Sequence, residues 1–199
     1  MTDAARIDIA ATLDALPAFP RLRGQRLCLR GPRADDADAV FALFSDPAVM
    51  RYWSRRPMAA RVEAEDKIVE ITEDFAARKA LQWVVAARAD DAVIGTCSLF
   101  RFEPRHRRAE VGYALRSGQW GRGLAAEAVA LALQWGFRSL GLHRIEADID
   151  PRNANSRRLL ERLGFSSEGI LRERYFAGGE AGDIELFGLL AQEMRSRPK

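Results

Sequence analysis

Two kinds of chemistry stand close together between residues 110 and 128. A lone carboxylate, Glu110, lies in a strand-like stretch beside Gly112 and Ala114. A turn, Gly121–Arg122–Gly123, follows it and opens a run of helix formers, "LAAEA". The first amides of a helix have no intrahelical partner and carry the positive end of its dipole. Such an end is an anion site, and phosphate is the commonest anion. Glycines lacking a Cβ let backbone come close to a phosphate, and Arg122 adds positive charge. A tight strand-to-helix turn that binds nothing would use the same residue types.

The strand before the turn sorts its side chains by period two. Ala109, Val111, Tyr113 and Leu115 share one face, and Glu110, Gly112 and Ala114 the other. The second face has one carboxylate and two small neighbours, which leaves room for a ligand. The plainer alternative is a glutamate paired with Arg105, Arg107 or Arg108. Farther on, Asn153 is a good helix N-cap, and Ser156 is a first-turn serine that can bond to backbone. Arg116, Arg157 and Arg158 are ordinary surface charges beside Arg122, the one arginine expected at the anion.

The elements that must position these residues are legible in outline. The chain has 199 residues, enough for one domain with a sizeable core, and residues 1–22 are expected to be an N-terminal extension to a domain over 23–195. "QRLCLRGPR" predicts a strand with Leu27 and Leu29 on one face. "ADDADAVFALFSDPAVMRYW" predicts a helix, with Asp35 or Asp36 as N-cap and Val40, Phe41, Leu43 and Phe44 on its apolar side. A second helix is expected over 61–79. Strands follow at "LQWVVAAR", "AVIGTCSLFRF" and "RRAEVGYALR". A helix spans Leu124–Leu140 and stops at Gly141. "HRIEADID" alternates as a strand, "NSRRLLERLGF" is a short helix closed by Gly164, and a final strand pair turns at Gly178–Gly179. The order predicts a mixed α/β sheet rather than strictly alternating βαβ units.

Composition narrows the function classes. Thirty-one basic and 28 acidic residues leave a net charge of +3, mixed along the chain, which argues against direct nucleic-acid binding. Cys28 and Cys97, with only His106 and His143, cannot assemble a metal site at the usual spacings. The cysteines are expected as free thiols in a reducing compartment. The N-terminus is charged and lacks a signal-peptide core, and Glu127 interrupts the longest apolar run, so a soluble cytoplasmic protein with no membrane partner is expected.

Gly121–Ala126 also fits the dinucleotide fingerprint, with Glu146 and Asp148 near the place of a ribose-binding acid. Only about fifty residues follow Asp148, too few for the remaining units of a Rossmann domain. More of the chain carries another likeness. Residues 25–191 resemble the GNAT acetyltransferase superfamily, and within it the RimJ/RimL-like enzymes that acetylate protein N-termini. Four blocks carry the resemblance in order: "QRLCLRGPRADDADAVFALFSDPAVMRYW", "AEVGYALRSGQWGRGLAAEA", "GLHRIEADIDPRNANSRRLLERLGF" and "GILRERYFAGGEAGDIELFGLL". The second and third are the specific ones. Trp120 stands where the superfamily's loop motif usually begins with Gln or Arg, a substitution familiar in the RimJ/RimL-like branch.

The resemblance implies a mostly antiparallel twisted sheet, flanked by helices and splayed where acetyl-CoA binds. It implies that Trp120, Gly121, Arg122, Gly123, Leu124 and Ala125 cradle the diphosphate of acetyl-CoA. It implies too that amides near Tyr113, Ala114 and Leu115 polarise the acetyl carbonyl, and that Asn153 bonds the pantetheine arm. Glu110 matches the position of a general base, Ser156 that of the group protonating the thiolate. Trp53 and Asp183 fall where the acceptor would bind, while Trp83 is expected in the core. The implied reaction is direct attack of a primary amine on the thioester in a ternary complex, without a metal. The acceptor implied first is a protein N-terminal amine. A small amine, polyamine or antibiotic, or a non-catalytic acyl-CoA-binding protein, is the alternative. Relatives of this kind are commonly homodimers.

Overall fold

In the computed structural model, which describes residues 7–177 and 179–195, eight strands form one open sheet in the order β1-β2-β3-β4-β5-β6-β8-β7. The strands are β1 (Leu22–Arg23), β2 (Leu27–Arg30), β3 (Ala80–Ala87), β4 (Val93–Glu103), β5 (Arg108–Leu115), β6 (Arg144–Ile149), β7 (Ser166–Ala177) and β8 (Glu180–Leu190). Every neighbouring pair is antiparallel except β5 and β6. The helices are α1 (Ile9–Asp14), α2 (Ala37–Phe44), α3 (Pro47–Met50), α4 (Arg61–Ala76), α5 (Leu124–Arg138), α6 (Ala154–Leu163) and α7 (Ala191–Arg195).

Each face of the sheet has its own apolar cluster. Ala128, Val129, Ala132, Leu133 and Phe137 of α5 pack on Trp83, Leu99, Val111 and Ile145, together with Ile9 and Leu13 of α1. Trp83 is fully buried and donates its indole N–H to the Pro20 carbonyl at 2.8 Å. On the other face, α2 and α4 gather Val40, Leu43, Phe44, Met58 and Ile68 around Ala114 of β5. The alternation expected along β5 therefore holds, with Ala109 and Val111 toward α5 and Ala114 toward α2.

The single helix expected from Ala34 to Trp53 is three pieces: a 3-10 turn over Ala34–Asp36, then α2 and α3. Asp46 breaks it by accepting from the Ala48 amide at 2.8 Å, with Pro47 opening the next turn. Asp36 precedes α2 but does not cap it with its side chain. Its carboxylate instead takes Arg30 Nη1 and Nη2 at 2.8 and 2.9 Å and the Arg33 amide at 2.7 Å. Arg30 and Asp36 are both buried, which ties β2 to the start of α2. The last strand pair is longer than its sequence pattern, since β7 begins at Ser166, directly after Phe165. The turn expected at Gly178–Gly179 includes Gly178, which lies outside the described residues.

Removing one partner of a buried ion pair strands the other charge in a poor solvent. Asp36→Asn should lower the unfolding free energy by about 3 kcal/mol in urea denaturation. A loss below about 1 kcal/mol would show that Asp91, 3.1 Å from Arg30 Nε, carries the pairing alone.

Candidate active site

Gly121 and Gly123 both hold left-handed backbone, φ 75° and 74°, which L side chains disfavour. A Cβ at Gly121 would meet nothing within 4 Å, so this backbone faces open space. Gly123 is the N-cap of α5 and no side chain caps the helix. Leu124 and Ala125 form an uncapped first turn, with the exposed Arg122 beside it. The loop is braced from behind: Arg26 Nη1 donates to the Arg122 carbonyl at 2.8 Å, while its Nε and backbone N–H both reach Glu127 at 2.8 Å. Burial works against the charged form of Glu127, but the hydrogen bonds and charge of Arg26 outweigh it and hold the carboxyl below its usual range. A Cβ on Gly24 would sit 2.5 Å from Glu127 Oε1, so the bare backbone there makes room for the carboxylate. Trp120 donates its indole N–H to the Leu115 carbonyl at 2.8 Å and leaves its ring 47% exposed over the loop.

Just before this loop the sheet parts. Pairing of β5 with β6 covers Arg108↔Arg144, Ala109↔Ile145 and Glu110↔Glu146, and stops there. The edge of β5 from Val111 to Leu115 has no partner in β6, which leaves Tyr113, Ala114 and Leu115 along the gap. On the α5 face, the Tyr113 hydroxyl is buried with no hydrogen bond of good geometry, and its one polar neighbour is the Ser156 side chain on α6, close enough to interact with it. Burial pushes this phenol up to about 12, so it holds its proton at neutral pH. Asn153 is the N-cap of α6, its Oδ1 accepting from the Ser156 amide at 3.1 Å. Its side-chain amide N–H groups remain available.

Glu110 stands on the opposite face. Its partner is none of Arg105, Arg107 or Arg108. Arg101 Nη1 donates to its two oxygens at 3.1 and 2.9 Å. Arg108 is committed to Glu146 at 2.6 Å and Arg107 to the Gly141 carbonyl at 2.9 Å. Burial raises the Glu110 carboxyl above the usual range against the pull of Arg101, and the neighbouring Asp148 and Glu146 add to the rise. Burial also raises Asp148, which lies 4.0 Å from Arg101.

Trp53 packs edge-on to Phe44, ring centroids 5.7 Å apart, in the cluster that includes Ala114, and so shares the face of Glu110. Asp183 is exposed on β8, and its Oδ1 accepts from the Glu173 amide at 2.8 Å, bracing a bulge where Glu173 is left-handed. Sequence reasoning missed Arg101 and Arg26, long-range partners with no local signal. It also missed the Arg157–Glu185 ion pair beneath Ser156. Asp148 was visible as an alternating residue of β6 but not as a neighbour of Glu110.

The residues present fit a diphosphate ligand with a long polar arm. The uncapped α5 turn, the open space over Gly121 and the orphaned Tyr113 hydroxyl all lie on the α5 face of the gap. No group of three or more histidine, cysteine or acidic side chains among the described residues could hold a metal ion. A buried hydroxyl with no partner contributes nothing to a ligand-free fold. Tyr113→Phe should therefore leave the ligand-free protein as stable, or more stable by up to about 1 kcal/mol, in urea denaturation. A loss above about 1 kcal/mol would mean that the hydroxyl is bonded within the protein.

The chain is similar to known proteins. Residues 26–166 match the model of an acetyltransferase (GNAT) domain. An uncharacterised N-acetyltransferase, p20 of Bacillus licheniformis, is 38% identical over 169 residues, covering 85% of this chain and 95% of its own. Spermidine N(1)-acetyltransferase of Escherichia coli K12 is 32% identical over 152 residues, covering 76% and 79%. The fold matches that of Mycobacterium smegmatis RimJ in complex with CoA-disulfide, with TM-score 0.79 at 24% identity, covering 88% of this chain and 90% of that one. The chain belongs to the GNAT acetyltransferase family and is an N-acetyltransferase.

Proposed function

We propose that the protein transfers the acetyl group of acetyl-CoA to a primary amine, with the two reactants meeting through the gap between β5 and β6. The observation that carries this reading is the end of strand pairing at Glu110. It leaves Tyr113 and Ser156 on one face and Glu110 on the other. Bound acetyl-CoA supplies the activated acyl carbon. Trp120, Gly121, Arg122, Gly123, Leu124 and Ala125 hold its diphosphate at the α5 turn, and Asn153 takes up the pantetheine arm. Free backbone N–H groups along Tyr113–Leu115 stabilise charge on the acyl oxygen.

Glu110 receives the proton that the acceptor ammonium must lose before its lone pair can attack. A carboxyl raised by burial is a better base for this task than an ordinary surface glutamate. As the new C–N bond forms and the C–S bond breaks, the Ser156 hydroxyl gives a proton to the departing sulfur and is reprotonated by the second proton that the nitrogen sheds as it becomes an amide. Cys97 takes no part as a nucleophile, since burial pushes its thiol up to about 12. In this reading the catalytic domain spans 23–195, and residues 1–22 are an extension whose α1 packs into the core.

The acceptor read first is a protein N-terminal amine. An α-ammonium titrates near 7.7–8.0, against about 10.4 for an alkyl ammonium, so a carboxylate base has less work to do. A polyamine is the second reading. Glu110, Glu146 and Asp148 gather on the acceptor face, and a relative is a spermidine acetyltransferase. Comparing kcat/KM for alanine- and serine-initiated peptides with that for spermidine decides between them. A preference of tenfold or more for peptides supports the first reading, and the reverse preference supports the second.

Glu110→Gln should lower kcat by about 10²- to 10⁴-fold and leave CoA affinity within threefold. Because the base works only when deprotonated, kcat/KM for the native enzyme should fall on the acid side as Glu110 takes up its proton. The variant should lose that limb. An unchanged kcat across pH would remove Glu110 from the role of base.

A further inference from the structure

Arg101 reaches Glu110 by an irregular route. Phe100 is the cross-strand partner of Glu110, so in an unbroken ladder the next residue would point to the opposite face. The β4–β5 register shifts between Phe100 and Glu103, and Arg101 takes a left-handed φ of 50°. The bulge returns its guanidinium to the Glu110 face, where both carboxylate oxygens are within 3.1 Å of Nη1. The Phe100 ring centroid lies 5.7 Å from the same guanidinium. The Arg101 side chain is 63% exposed and that of Glu110 only 13%. An ion pair whose cation is largely in solvent adds little to stability, so it does not repay a strained backbone. Bulges at functional sites re-aim side chains, and this one delivers a cation to the carboxylate the acceptor needs.

Resting on the reading of Glu110 as base, we propose that Arg101 is a positioning residue that holds the Glu110 carboxylate with an internal cation until the acceptor ammonium displaces it. The displaced guanidinium has somewhere to go. An open groove of about 490 Å³ adjoins it, lined by Asp74, Arg78, Lys79, Phe100, Arg101 and Phe102. Solvent and the Asp74 carboxylate on its wall can take the guanidinium there, with the cations Arg78 and Lys79 also on that wall. The other charged groups facing Glu110 are Asp148 and Glu146 of β6, with Arg108 on its own strand bound to Glu146 and Arg174 of β7 beside Asp148. Among these groups, Arg101 alone bonds Glu110 directly, so it sets both the competition with an incoming ammonium and the charge state of the base. An acceptor with a strongly localised ammonium is favoured over a neutral nucleophile by such an exchange.

The test compares native protein, Arg101→Ala and Arg101→Lys by carboxyl-detected NMR titration of Glu110 without acceptor, and by kcat/KM against pH with spermidine and an alanine-initiated peptide. Arg101 favours the ionised carboxylate, so Arg101→Ala should move both the Glu110 titration and the acid limb to higher pH by at least half a unit. It should also lower KM for the amine at least threefold at high pH, since no internal cation competes. Arg101→Lys, which keeps the charge, should restore native behaviour for both. CoA affinity within twofold of native by calorimetry shows that the variants are folded. A Glu110 titration and KM that do not move in Arg101→Ala would overturn the proposal. Loss of the acid limb in Glu110→Gln separates this from failure of the base reading: if Glu110→Gln keeps the limb, the base is elsewhere, while the NMR shift still reports on Arg101.

Discussion

The structure turns on a sheet that stops pairing with itself. Among the described residues β5 and β6 are the only parallel neighbours, and their ladder ends after three residue pairs. Backbone N–H and C=O groups left without a partner are costly unless something else satisfies them. Here that need falls beside an uncapped helix start and a buried hydroxyl with no hydrogen bond. Each of these would be a defect alone. Together they fit the proposed ligand, with its diphosphate, polar arm and reactive carbonyl.

The gap also divides the labour between two faces. The α5 face carries the loop, Tyr113 and Ser156, and its packing is supplied by one long apolar helix whose first turn is left open. The α2–α4 face carries Glu110, Asp148 and Trp53, and its packing is supplied by a separate cluster around Ala114. A strand of period two can serve both faces because successive residues point to opposite sides. Tyr113 and Ala114 are neighbours in sequence and pack into different apolar clusters. The strained residues Arg101 and Glu173 both sit at bulges in strands flanking this site.

Much of this was legible from residue order, and the rest failed for particular reasons. Gly121 and Gly123 announced a turn whose backbone lies open to a ligand, and both take the left-handed conformation that glycine adopts without strain. Asn153 and Gly164 announced the two ends of α6, as local capping chemistry does. The alternation of β5 named both faces correctly. The helix after Ala34 was drawn too long because its apolar period continues through Asp46–Pro47, where local capping wins over periodicity. The partner of Glu110 was sought among Arg105, Arg107 and Arg108, its sequence neighbours. It came from the adjacent strand, through a bulge that no pattern of residue types predicts. The Arg26 brace on the loop spans a hundred residues of sequence and could be seen only in three dimensions. The hydrogen bond of Asp183 to the Glu173 amide at the β7 bulge likewise has no signal in residue order.

The central claim is that the open end of α5 and the β5–β6 gap form a site for CoA. The most direct measurement is the thermal midpoint with acetyl-CoA, CoA or NADPH, each in large excess. A ligand at about 100 times its dissociation constant adds about 2.7 kcal/mol to folding stability. A rise with acetyl-CoA and CoA, and none with NADPH, is the predicted result. A rise with NADPH alone, or with none of the three, would contradict it.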